Sequence, residues 1–193
     1  MSETVSYYED SKEIEKKIWE LLSTAVKDRS SEFRPPVFIC GNDKDLDGRV
    51  VVLRKADQQN NFFQYHSDIR SSKIQKIKQN PSCAILFYGK EEKIQLRVKA
   101  ECKVHFDDEI TKESWGKTGH ISRKCYLVTN GPGTESDKPT SGLDNKFDNF
   151  DFTKEESEAG YKNFCVIRCK VKSIEWLYLA AKGHRRALID LNG

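Results

Sequence analysis

The sequence predicts a mainly β protein with peripheral helices, folded as a closed or half-closed antiparallel barrel, and three observations predict it. β-branched and aromatic runs recur between turn residues at the spacing of successive hairpins, not of βαβ crossovers. Helical periodicity is confined to the start of the chain and a few short segments. The composition, 37% hydrophobic and 33% charged over 193 residues, fits one moderately sized core, so residues 1–193 read as a single domain.

Residues 1–32 form an N-terminal helix region. Ile14, Ile18, Leu21, Leu22, Ala25 and Val26 recur at three-and-four spacing, with Ser11 placed to cap the start. Arg34-Pro35-Pro36 then breaks the chain. A strand follows at 37–40, a polar loop at 42–48, a β-branched strand at 49–54, a turn at 58–61 and a strand at 62–66. Residues 67–73 lead into a short helix carrying Ile74 and Ile77, which stops at Asn80-Pro81. Strands at 83–88 and 94–106 flank the charged turn 89–92, and Asp107 to Trp115 reads as a helix. Residues 128–160, with Gly131-Pro-Gly133 and many charges, read as a long loop with at most a short helix. A final pair of strands lies at 163–178 and 184–191. About seven strands and three or four helices result.

Net charge is +3 from 33 basic and 30 acidic residues, too balanced for a nucleic-acid partner. No apolar run is long enough to span a bilayer. The polar, acidic start resembles neither a secretion signal nor a transit peptide, so the expected location is cytoplasmic. The six cysteines form no Cys-x-x-Cys pair and several sit in strand-like runs, so reduced buried thiols are expected and no metal site.

The junction at 66–74 carries the most chemistry. A helix start offers free N–H groups and a positive dipole end. Here His66 and Ser67 precede Arg70, Ser71, Ser72 and Lys73, a set suited to a phosphate dianion. The same residues would also serve as an ordinary cap and a solvated surface. Arg49 opens an apolar strand just after a turn. Strand alternation places Arg49, Val51 and Leu53 on one side and Val50, Val52 and Arg54 on the other. Two arginines bracketing such a run suggest anion partners, with snorkelling at the strand end as the alternative. Gln95 either reads the edge of a flat heterocycle or faces outward as a plain polar residue. Trp176 and Gly183-His-Arg-Arg186 bring an aromatic and cationic groups close in sequence, and His184 alone reads more readily as structural.

These segments, in order, resemble the pyridoxamine 5′-phosphate oxidase-like FMN-binding split barrels. The carriers are Arg49-Val-Val-Val-Leu-Arg54, Ser67 to Lys73, Asn80-Pro81, Gln95-Leu-Arg97, Ser122-Arg-Lys-Cys-Tyr126 with Pro132-Gly-Thr134, and Gly183-His-Arg-Arg186. The match spans roughly 35 to 190 and is closest to the branch with an Arg-Ser-x-Lys motif. The resemblance implies FMN as cofactor and a homodimer with FMN at the subunit interface. Its cofactor-binding residues would be Arg49, the strand Val50, Val51 and Val52, the segment His66, Ser67, Arg70, Ser71, Ser72 and Lys73, and Gln95, Trp176 and Arg186. A one-residue shift would replace Trp176 by Leu177. Arg54 stands where the oxidase has a phosphate-binding lysine. The oxidase's Tyr-x-x-x-Arg-x-x-x-Ser pattern is not found, and its Arg-x-His motif reads Lys182-Gly-His184. FMN binding therefore transfers better than vitamin B6 oxidation. The expected function is an FMN-dependent oxidoreductase, with Arg54, Arg123, Tyr126 and His184 on the substrate side. The alternatives are a non-enzymatic flavin-binding or sensing protein, a genuine pyridoxamine 5′-phosphate oxidase, or a deazaflavin or haem binder, in the last case through His66 and His184.

Overall fold

The computed structural model describes residues 6–42, 44–144, 147 and 152–192. The parts of the expected 128–160 loop at 145, 146 and 148–151 therefore lie outside the described residues, as do positions 1–5 and 193. Helix α1 (Ser11–Lys27) forms where the apolar period predicts, but Asp10 caps it instead of Ser11. Its carboxylate accepts the amides of Lys12 (2.7 Å) and Glu13 (3.2 Å), satisfying orphan donors and the dipole together. The stripe Ile14, Ile18, Trp19, Leu22 and Ala25 is buried, each large member contributing about 1.5–3 kcal/mol. Arg34 donates back to the carbonyls of Ala25 and Val26 at the helix end.

Strands β1 (Val37–Asn42), β2 (Asp45–Val50), β3 (Leu53–Asp57) and β4 (Phe62–Asp68) come next in the chain. Helix α2 (Ser72–Gln79), β5 (Ser82–Gly89) and β6 (Ile94–His105) follow, and β7 (Phe164–Tyr178) and β8 (Arg185–Asp190) end the sheet. All eight strands join one antiparallel sheet in the order β2-β1-β5-β6-β7-β4-β3, with β8 on β7. The polar loop expected at 42–48 is a tighter hairpin, since β2 already begins at Asp45. An edge strand facing solvent carries polar residues, and that hid it. Gly41 adopts φ +132°, and a Cβ there would lie 2.1 Å from the Asp45 carbonyl oxygen, so the hairpin requires glycine.

The expected strand 49–54 is broken at Val51–Val52. Its first half pairs with β1 and its second with β4. The bend is pinned by Val51 N–H to the Pro36 carbonyl (3.0 Å) and Leu53 N–H to the Arg34 carbonyl (2.9 Å). Because β2 and β3 stand at the two ends of the strand order, this bend closes the sheet into a barrel. The long β7 pairs with β6 along its length, with β4 over 164–170 and with β8 over 173–178. The sheet therefore splits where β7 exchanges β4 for β8. Phe38, Leu53, Phe63, Phe87, Leu96 and Trp176 fill the inside, with α1 and α2 packed onto it.

Outside this core, Trp115, Tyr126, Phe164 and Val166 form a second apolar cluster. It sits under α3 (Glu109–Lys117), the unforeseen α4 (His120–Arg123) and α5 (Lys154–Ser157). Among the described residues no helix is long and apolar enough to cross a membrane.

Candidate functional site

The bend between β2 and β3 carries Arg49 to the start of α2. Its Nη1 reaches the Ser71 hydroxyl and its Nη2 the Ser72 hydroxyl, each at 3.4 Å, and it pairs with Asp47. Arg49 Nε is buried without a partner. Lys73 enters from the other side, its Nζ donating to Ser67 Oγ (2.7 Å) and Ser71 Oγ (3.1 Å). Burial, then the charge of Arg49, lower the Lys73 pKa from its ordinary value. Ser71 is the N-cap of α2 but makes no side-chain cap bond, so its hydroxyl serves the two cations instead. Two cations, three hydroxyls and the first-turn amides of α2 thus share one locus, and Asp47 is the carboxylate paired there. That arrangement suits a dianionic oxygen group.

Arg70 is committed elsewhere. Its guanidinium pairs with Asp68 (2.7 Å) and donates to the carbonyls of Val128 (3.1 Å) and Thr129 (3.0 Å), clasping the loop against β4. A Cβ on Gly131 would lie 3.0 Å from Arg70 Cβ, so glycine lets the loop close on the clasp.

His66 lies beside Ser67 on β4 and faces a separate cleft of about 500 Å³ lined by Arg29, Arg34, Arg54, Gln64 and Arg168 among others. Neither His66 Nδ1 nor Arg54 Nε has a partner. Burial, then the Arg54 charge, push the His66 pKa down to about 3, so the imidazole is neutral near pH 7.

The register puts Arg49 in a row with Phe38, Ile85 and Val98, facing inward, whereas Gln95 lies three residues before Val98 and faces outward. Gln95, Leu177 and Arg186 stand side by side on that outer face. Trp176 does not join them. It is buried against Tyr8 and Tyr178, because strand alternation turns it inward with Ile174. The outward neighbour is Leu177, the position that a one-residue shift puts in place of Trp176.

Two substrate-side expectations are also relocated. Arg123 is 1% exposed, stacks on Trp115 with its guanidinium 4.4 Å from the ring, pairs with Glu158 and donates to the Trp115 carbonyl (2.7 Å). Tyr126 is buried in the same cluster. Both hold the helical cap together. A lone arginine in a short helix carries no sequence signal of such burial, since its partners lie in α3 and at the end of α5. His184 is exposed in the turn between β7 and β8, accepting the Ala180 amide at Nδ1 (3.2 Å). Sequence reasoning missed Arg29, Arg34 and Arg168, which reach the Arg54 cleft from three separate segments.

Residues 18–106 match the model of the pyridoxamine 5′-phosphate oxidase FMN-binding domain. A pyridoxamine 5′-phosphate oxidase-related, FMN-binding protein from Nostoc punctiforme superposes with a TM-score of 0.71 at 17% identity, covering 91% of this chain and 89% of that one. PhzG from Burkholderia lata, in complex with tetrahydrophenazine-1-carboxylic acid, gives 0.69 at 13% identity, with 100% and 94% coverage. General Stress Protein 26 from Bacillus anthracis gives 0.51 at 13% identity, with 90% and 98% coverage. The chain is a split β-barrel whose residues 18–106 match the FMN-binding domain of the pyridoxamine 5′-phosphate oxidase family, and that match implies FMN as the cofactor.

Proposed function

We propose that this protein is an FMN-dependent oxidoreductase that holds the cofactor phosphate with Arg49, Ser71, Ser72 and Lys73 and acts on a small anionic organic substrate. The observation that carries the cofactor site is the convergence of Arg49 and Lys73 on the Ser71 hydroxyl, with a buried, unpartnered Nε on the arginine. Charge-assisted hydrogen bonds of this kind contribute about 1.5–3 kcal/mol each. FMN, when bound, supplies hydride acceptance and onward electron transfer. The interruption takes the Val51–Val52 backbone out of the regular ladder next to Val50, where it would line a flat ring.

The Arg54 cleft is the substrate side in this reading. Its cations orient a carboxylate or phosphate, and neutral His66 offers a hydrogen bond without adding charge. Gln95, Leu177 and Arg186 face away from Arg49 within one chain, so a site using both sets draws on two copies. The exposed apolar residues Val50 (65%) and Leu188 (69%) on the outer face favour such a homodimer.

Anaerobic mixing of the FMN-loaded protein with NADH, NADPH and pyridoxamine phosphate tests the activity. Bleaching of the flavin by one donor supports it. No bleaching across the panel, with FMN still bound, replaces it with a flavin carrier. Arg54→Gln should lower kcat/KM for the anionic donor at least about tenfold while leaving FMN affinity within about twofold.

A further inference from the structure

The barrel interior holds a cluster that the flavin site does not use. Cys83 on β5, Cys102 on β6 and Cys169 on β7 bring their sulfurs together, 3.0 Å between Cys83 and Cys102 and 2.9 Å between Cys102 and Cys169. All three lie within 4.8 Å of one another and all are buried. The register explains the convergence. Cys102 and Cys169 are direct partners across β6 and β7. The Cys102 amide bonds to the Pro81 carbonyl on the β5 side, so its pairing toward β7 is a non-hydrogen-bonded one, where side chains approach most closely. Cys83 faces Ala100, one inward position along β6, and reaches Cys102 diagonally.

A fourth polar side chain stands near them. Tyr65 on β4 pairs with Ile167, one inward position from Cys169. It is 1% exposed, its hydroxyl has no hydrogen-bond partner, and it lies within electrostatic reach of all three sulfurs. A buried hydroxyl left unpaired in an apolar barrel is a cost that a bound ion would remove.

We propose that Cys83, Cys102 and Cys169, with the Tyr65 hydroxyl, form a binding site for a thiophilic d10 cation of the Zn²⁺ and Cu⁺ class. Soft thiolates select such ions over Mg²⁺ or Ca²⁺. Tetrahedral thiolates at a metal–sulfur distance of about 2.3 Å stand about 3.8 Å apart, so the sulfurs need to open by less than ~1 Å. Binding a divalent ion forms three metal–sulfur bonds and releases three thiol protons to solvent. The phenol proton stays in place, and the centre keeps one negative charge. Lys99 and Lys172 line the cleft of about 550 Å³ that reaches Cys83, which is 8% exposed and offers an entry path. A disulfide between Cys102 and Cys169 would leave Cys83 and the phenol without a role, whereas a cation uses all four groups. This assignment departs from the sequence expectation of plain reduced thiols.

Cd²⁺ is the probe. The reduced, chelator-stripped, FMN-loaded full chain is titrated and followed by the thiolate-to-metal charge-transfer absorption as a difference spectrum. The expected result is one equivalent bound per chain, lost in Cys102→Ser and in Cys169→Ser, unchanged in Cys125→Ser, and at least about fivefold weaker in Tyr65→Phe. Retained FMN binding shows that each variant is folded. Where a cysteine variant does not fold, Cd²⁺ protection of three thiols from alkylation in the unsubstituted chain gives the same answer. The proposal is overturned by absence of uptake, by uptake unaffected in Cys102→Ser, or by a chain two hydrogens lighter whose Cys102–Cys169 disulfide forms in preference to Cd²⁺ binding.

Discussion

Replacing Arg49 by alanine separates the phosphate from the ring of FMN. Two guanidinium nitrogens point at the hydroxyls flanking the α2 start, and a phosphate seated there would take both as charge-assisted donors. At about 1.5–3 kcal/mol per bond the ideal loss is about 3–6 kcal/mol. The Arg49 side chain is 30% exposed, so solvent screening reduces that toward ~3 kcal/mol. FMN should then bind about 100-fold more weakly. Riboflavin lacks the phosphate and should bind within about threefold of wild type. Arg49→Lys keeps the charge and loses the fork, so an intermediate loss of about tenfold is expected. Fluorescence quenching titrations with both flavins measure the ratio. Equal weakening of FMN and riboflavin by Arg49→Ala would refute the phosphate assignment, because the arginine would then be shaping the fold instead of holding an ester.

Three further outcomes follow from the same geometry. Arg70→Ala should leave FMN affinity within about threefold but speed proteolytic cleavage near 128–131, since its guanidinium holds the Val128 and Thr129 carbonyls; a large loss of FMN affinity would return Arg70 to the cofactor. His66 has a folded pKa of about 3 against about 6.5 unfolded, so the unfolded chain takes up the proton first as pH falls. Stability from this group is complete above pH 6.5 and declines toward pH 3, by about 2.7 kcal/mol at pH 4.5; urea midpoints at pH 7 and 4.5 should differ less for His66→Asn than for wild type, and equal differences would reject the assignment. Arg123→Ala removes the buried guanidinium stacked on Trp115, leaving Glu158 only the Trp115 indole N–H and the Trp115 carbonyl only the Thr118 amide, so chemical denaturation should show a loss of about 2 kcal/mol with FMN affinity unchanged.

Hydrophobic period made the architecture readable, as α1 and the paired strands β5 and β6 show. The edge strand β2 was lost in a polar loop because Asp45, Asp47 and Gly48 carry no buried face. The break at Val51–Val52 was equally hidden, since three consecutive valines fit a straight strand as well as a bent one. The cluster at the start of α2 is foreshadowed by Ser71, Ser72 and Lys73 standing together in the sequence, whereas the approach of Arg49 depends on the β2–β3 bend. Arg70 belongs to that run and yet turns to Asp68, a choice of partner that spacing cannot decide. Trp176 shows the limit of parity: shifting a strand by one residue exchanges core and surface. The Cys83, Cys102 and Cys169 convergence depends on the registers of three strands and leaves no trace in their sequence spacing.

Strand β7 belongs to both halves of the split, and that has a consequence for how the protein comes apart. Phe164 and Val166 near its start anchor the Trp115 cluster, while Ile174 and Trp176 near its end hold the barrel against β8. Neither half can release its share of this strand without stripping hydrogen bonds from the other. Melting is thereby concerted: the helical cap and the C-terminal hairpin report one shared transition, and a lesion at either end of β7 is felt by the molecule as a whole.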